Sequence, residues 1–286
     1  DWVVKLIIEY FKNNEQAYKE LHVIDEIKTG SYTVDHLNKV LLLFINYCIF
    51  YNDFIDKGHV AKNIRGVYKT RYNAQYKLKL PGNDVSLETI FKDGMRRIEL
   101  ETELKEYALG ALLFDIGKLS DFEYHDSDAP YDENTVKLHA LVSYNMIIKA
   151  KEYPFVVAAM AALHHEYYGG KGSYNFTNPL LSKLLNKKRS EEDAKYFMTF
   201  DEEQFKNGVA LAFFPCKVIE ILDIFNALNS KKGYSKIDSL KLMKKEFIYN
   251  SFKIDPILFE IFLEFSLTCQ FITPEERLEV DDIKIN

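Results

Sequence analysis

Two adjacent histidines close an apolar helix-like run in LHHEYYGGKGSY (163–174), directly after VVAAMAAL (156–163). Vicinal imidazoles are expensive to bury unless something pairs with them, so the pair asks for a partner. Other residues able to ligate a metal sit in the same way at the end or edge of an apolar stripe. His36 heads a face with Val40 and Leu43. Asp115 continues the face of Ala108, Ala111 and Leu112, with Lys118 three residues on. His139 shares a face with Val142 and Met146, His164 continues Val157, Met160 and Ala161, and Asp223 follows Ile219, with Asn226 three residues later. Singly, each is an ordinary core histidine or a capping aspartate. Together, drawn from five helices, they suit one interior site, because imidazole plus carboxylate is the ligand set of Zn, Mn or Fe. Adjacent helical residues point ~100° apart, so His164 and His165 share an ion most easily where the helix gives way, and Gly169 and Gly170 supply that exit.

The elements that must position these residues are helical almost throughout. TVDHLNKVLLLFINYCIFYN predicts a helix capped by Thr33, with apolar residues at 37, 40, 41, 44 and 48. The same period marks 87–114, 135–150, 214–228 and 239–247, and Thr273-Pro274-Glu275 opens a last short helix. PGND (81–84) and GGKGSYNFTNP (169–179) are the clearest loops. The expectation is an all-α bundle around a buried His/Asp metal site. It comprises an N-terminal helical connector or cap (1–30), an all-helical domain (31–286), and a basic insertion (57–84) inside that domain.

Composition narrows the function classes. A chain of 286 residues that is 47% hydrophobic can bury a substantial core. Its net charge of −6 argues against DNA or RNA as partner. The exception is 57–80, with seven Lys/Arg and no acid, where tyrosines 68, 72 and 76 recur every fourth residue; it reads as a basic surface helix or as a strip for phosphate or a partner. No apolar run reaches the ~20 residues of a membrane span. Cys48, Cys216 and Cys269 form no CxxC pair, which favours buried, reduced thiols and a cytoplasmic setting. The start at Asp1, without methionine or signal pattern, is expected of a fragment of a longer chain.

The order His36, FDIGK (114–118), His139, HHEYYGGKGSY (164–174) and DIFNALNSKKGY (223–234) resembles the HD-GYP subgroup of HD-domain phosphohydrolases across about residues 31–236. That family hydrolyses cyclic di-GMP to linear pGpG at a two- or three-metal site. The resemblance implies Asp115 as a bridging ligand, with His139, His164 and His165 completing one ion. His36 and Asp223 belong to the other, together with the histidine of the HD pair, which here is Phe114. Asp115 and Lys118 are the implied catalytic residues. Lys118, Lys39, Gly170, Gly172, Tyr174 and Lys232 are implied to contact the substrate, with Tyr167, Tyr168 and Tyr174 as one wall of its site or as ordinary rim residues.

The chain also departs from the pattern. Phe114 cannot ligate, so the second ion keeps three matched ligands, and His125 is either a repair for it or a loop residue. Gly169, Ser173 and Asn226 replace family residues, Gly233 stands in the basic-Pro-Tyr element, Lys39 stands for an arginine, and Tyr32 takes the place of an acid that holds a third metal in some members. The implied cofactor is a divalent transition metal at two sites, Fe or Mn before Zn or Ni, one of them weakened by Phe114. The partners implied are cyclic di-GMP, an upstream regulatory domain and a second copy in a homodimer. Three functions stay open: a cyclic di-GMP phosphodiesterase of low activity, an inactive domain that serves as a nucleotide receptor or protein-interaction module, and a hydrolase of another phosphoester.

Overall fold

The structure, a computed structural model, describes residues 2–14, 21, 24, 28–58, 97–119, 133–166, 214–231, 233–251 and 253–283. Among these residues the chain is all-α, with no strand. The helices are α1 (Trp2–Lys12), α2 (Tyr32–Asp56), α3 (Glu103–Leu113), α4 (Glu133–Ala150), α5 (Phe155–Leu163), α6 (Phe214–Lys231), α7 (Lys236–Leu242), α8 (Pro256–Thr268) and α9 (Pro274–Asp281). A 3₁₀ turn (Ile116–Leu119) follows α3, and α7 runs on into a π-helical stretch (Met243–Asn250). No described helix is long and apolar enough to cross a membrane.

The long helix α2 is the spine. Its apolar positions leave water against α1, α3, α6 and α8, and Val40, Phe44, Ile45 and Cys48 are fully buried. Ser31 caps it by accepting from Val34 N at 3.5 Å, so the helix starts at Tyr32, ahead of the Thr33 cap that the pattern suggested. Helix α5 is apolar all round and every residue from Val156 to Leu163 is buried, because it lies between α3 and α4. Gly110 lies where α3 packs on α5, and a Cβ there would stand 2.3 Å from Met160 Sδ, so the thioether would have to move. Val4 and Ile8 of α1 join the same core. Cys48, Cys216 and Cys269 are buried free thiols.

Two periodicity-based expectations need correction. The helical pattern of 87–114 is not continuous, because α3 begins only at Glu103. Asn52 of α2 accepts from Ile98 N at 2.7 Å and donates to Ile98 O at 2.8 Å, which spends that residue's backbone groups outside any helix. On α4, Met146 does not share the buried face of His139. It is 39% exposed, and among the helix's described side chains the buried ones are His139, Ala140, Ser143, Tyr144 and Ile147. The loops at 81–84 and 169–179, the basic stretch beyond Gly58, and the tyrosines at 68, 72 and 76 lie outside the described residues.

One close contact ties fold to site. Gly117, in the 3₁₀ turn, donates its N–H to Ser143 Oγ of α4 at 2.8 Å, and a Cβ added there would meet His139 O at 2.5 Å and Ser143 N at 2.8 Å. Both obstacles are helix backbone and cannot step aside. Gly117→Ala is therefore expected to cost at least the ~1–3 kcal/mol of an overpacked core and to push the turn carrying Asp115 away from His139. Thermal unfolding together with metal content of the variant checks this; an unchanged melting temperature contradicts it.

Candidate metal centre

Three structural segments converge at the inner end of α5. His164 is the C-cap of α5, and its Nδ1 lies 2.8 Å from Ala161 O. A carbonyl only accepts, so Nδ1 carries the proton and Nε2 presents a bare lone pair. That nitrogen faces His139 Nε2 of α4 at 3.2 Å, and the His165 ring centroid stands 4.0 Å from that of His164. Asp115, fully buried in the turn after α3, completes the group. Its Oδ1 is 3.0 Å from His139 Nε2 and 3.5 Å from His164 Nε2, yet makes no hydrogen bond of acceptable geometry.

Three donor atoms 3.0, 3.2 and 3.5 Å apart, one of them an orphaned buried carboxylate oxygen, is an arrangement that wants a cation. Ligands bound about 2.1 Å from a common ion stand ~3.0–3.4 Å from one another at right-angled to tetrahedral spacing. The residues therefore fit a metal. Two groups could hold one: His139, His164 and His165, and His36, Asp115 and Asp223, each with its ligand atoms within 4.8 Å of one another.

The electrostatics keep these groups in the form a metal binds. Burial, reinforced by the neighbouring histidines, holds His165 well below the usual imidazole range, and burial also lowers His139. For Asp115 burial opposes ionisation, but Lys118 and His139 outweigh it and hold the carboxyl well below the usual range. Lys118 Nζ forms a close ion pair with Asp115 Oδ2. Asp223 is likewise lowered by His36 against the effect of burial.

The second group is less ready than the first. His36 Nε2 lies 2.8 Å from Asp223 Oδ1, while its Nδ1 lies 2.6 Å from Asn226 Nδ2. An amide N–H donating to Nδ1 leaves the proton on Nε2, where it donates to Asp223. Ligation through Nε2 needs the other tautomer, with Nδ1–H donating to the amide oxygen of Asn226. Phe114 is fully buried beside this group, edge-on to His164 at 4.9 Å between centroids and 6.1 Å from His36. A ring that cannot ligate thus lies between histidines of the two groups.

Lys217 of α6 carried no sequence signal of a role here. Its Nζ is buried and donates to Glu166 O at 2.6 Å, pinning the exit of the His164–His165 turn, and to Glu220 Oε2 at 3.0 Å. Burial pushes Glu220 up to about 8. The i,i+3 spacing of Lys217 and Glu220 was visible in the chain; that both are interior was not. Lys39 is buried on α2, one turn from His36. Gly170, Gly172, Tyr174 and Lys232 lie outside the described residues, as do His125, Tyr167 and Tyr168. No protein-family model, curated protein or solved structure matches the chain.

Two outcomes are expected. Metal at about a hundred times its Kd should stabilise the protein by about 2.7 kcal/mol. His165→Ala should remove most of that gain, read by thermal unfolding with and without chelator. Because His139 and His165 fall below the ordinary 6.5 in the folded state, the unfolded chain binds their protons first as pH drops. Their contribution to stability is complete above that pH and lost below it, in the same direction as that of Asp115. Metal affinity should accordingly stay nearly flat through pH 6.5 and fall only at lower pH, where the folded-state histidines take up protons. Calorimetry in buffers of different ionisation enthalpy should show little proton release from this cluster at neutral pH; a full proton released per ion contradicts the assignment.

Proposed function

We propose that the chain is a divergent metal-dependent phosphodiesterase of the HD-GYP type, opening cyclic di-GMP to linear pGpG. The observation that carries this is the convergence of His139 and His164 nitrogens on the unpartnered Asp115 Oδ1, with Lys118 paired to the other oxygen of the same carboxylate. A phosphodiester resists hydrolysis because its charge repels nucleophiles. Divalent ions held at the two groups would supply Lewis acidity and a nucleophilic water at neutral pH. His139, His164, His165 and Asp115 would hold one ion, and His36, Asp115 and Asp223 the other.

The remaining work belongs to the protein's own side chains. Asp115 stays ionised while fully buried, so its charge is available to cations without a protonation step. Lys118, 19% exposed at its side chain, is within reach of a ligand arriving from solvent and offers a fixed positive charge to a phosphate oxygen. His164 is held in one tautomer by Ala161 O, so no proton has to move there when an ion binds. His36 has to exchange tautomer with the help of Asn226, and Phe114 withholds a ligand beside it. The His36 ion is accordingly the weaker one, and turnover is slow. The same two features favour a second reading, a nucleotide receptor that keeps one ion and has lost turnover.

Chromatography of cyclic di-GMP incubated with anaerobically prepared Fe(II)- or Mn(II)-loaded protein separates the two. Linear pGpG is expected from the unmutated protein and none from Asp115→Ala. Intact substrate with both proteins, at high enzyme concentration, leaves the receptor reading.

A further inference from the structure

Helix α1 is apolar on its outer side as well as its inner one. Val4 and Ile8 turn inward and are buried, and Ile7 and Phe11 pack against the same core from its edge. Lys12 Nζ lies 3.4 Å from Glu101 Oε1, which ties the end of the helix to the segment leading into α3. The helix is therefore fixed to the body, and its outer face is presented as a set. That face carries Trp2 at 69% exposure, and Val3, Leu6 and Tyr10 between 44% and 57%.

A helix turns ~100° per residue, so Trp2, Leu6 and Tyr10 follow one another at ~40° steps in one stripe, with Val3 on the shoulder beside Tyr10. With aromatic side chains worth ~150–250 Å² each, the stripe leaves about 400 Å² of apolar surface in water, a size at which a patch on a monomer is commonly an interaction site. The other shoulder is charged. Lys5 and Glu9 stand there one turn apart, both exposed, and neither forms an ion pair among the described residues.

The face is complementary to itself. When a second α1 is laid against it in the antiparallel sense, each residue meets the one equally far from the centre on the same shoulder. With the centre near Leu6, Leu6 meets Leu6, Val3 meets Tyr10 and Lys5 meets Glu9, and the last two pairs each occur twice. A parallel pair would set Lys5 against Lys5 and Glu9 against Glu9, where like charges repel. Opposed helix dipoles favour the antiparallel sense too.

We infer that the outer face of α1 is a docking surface for a second copy of this chain, in a two-fold antiparallel contact with Leu6 at its centre and reciprocal Lys5–Glu9 pairs on its flank. None of these residues belongs to the His/Asp groups, so the contact requires no bound ion. Two such helices bury less than a standard interface, which makes the dimer concentration-dependent, with a Kd of about 10 µM or above.

Trp2 is the only tryptophan of the chain, so its emission reports on this face. Sedimentation equilibrium and Trp2 emission of the full chain, followed from about 1 to 300 µM, should show monomer passing to dimer while the emission moves to the blue. Leu6→Asp enters the contact twice at its centre and should leave a monomer throughout. Lys5→Glu and Glu9→Lys should each weaken the dimer by about tenfold, and the two together should restore it to within about threefold. All three positions are exposed, so melting temperature and metal content should not change. A monomer at every concentration overturns the inference, as does a dimer indifferent to Leu6→Asp. Charge variants that fail to rescue one another overturn the antiparallel pairing. Emission that moves to the blue on anionic phosphatidylglycerol vesicles, at a concentration where the chain is monomeric, assigns the face to a lipid surface and overturns the inference as well.

Discussion

Everything around the site follows from keeping one carboxylate ionised where no water reaches it. Taking a carboxylate out of water costs several kcal/mol unless charge and hydrogen bonds are returned to it. Asp115 is fully buried, and only one of its oxygens is fully answered, by Lys118. The other meets two imidazole nitrogens at distances too poorly oriented for hydrogen bonding. The fold accepts this because the neighbouring elements leave it no alternative. Gly117 lets the turn press against the backbone of α4, Ser143 holds that turn from α4, and the apolar α5 delivers His164 from the third side. A bound cation would satisfy the orphaned oxygen and the His164 lone pair at once.

Asp115 belongs to the His36 group and lies 3.0 and 3.5 Å from the His139 and His164 nitrogens of the other, and the two groups differ in readiness. His164 has its tautomer set by a carbonyl, a partner that only accepts, so its Nε2 presents a lone pair. His36 rests on an amide, which has both a donor and an acceptor and therefore tolerates either tautomer. Phe114 adds to the difference. Its ring packs edge-on against His164, a favourable aromatic contact that supports the first group, while it brings no donor atom to the second. The ring that brings no donor atom to one group thus helps to build the wall of the other.

The buried Lys217–Glu220 pair extends the same logic outward. Removing a lysine from water is worthwhile only with strong partners, and here the partners are a carboxylate and the carbonyl of Glu166, at the exit of the His164–His165 turn. That turn is held by a charge-assisted hydrogen bond from α6. Helix α6 therefore serves the centre twice, once through Asp223 and once through the lysine that pins the opposing turn.

The all-α class, most helix positions and the set of residues able to ligate were legible in the sequence, because a helix repeats every 3.6 residues and a histidine or aspartate on an apolar stripe stands out whatever surrounds it. The last helix was legible to its cap, since Thr273 and Glu276 form a capping box from neighbouring residues alone. Long-range partners decided the rest. Asn52 takes Ile98 out of a helix that its own neighbours favour, and Ser31 wins the cap from Thr33. Met146 points to solvent although its spacing from His139 suits the core, because helix α4 is turned to bring His139 and Ser143 onto Asp115 and Gly117. Distances between residues 36 and 223, or 115 and 164, are set by how helices cross, and local spacing carries no information about that. The sequence by itself determined which side chains were available for metal chemistry; only tertiary packing decided that they face one another and which tautomers they hold.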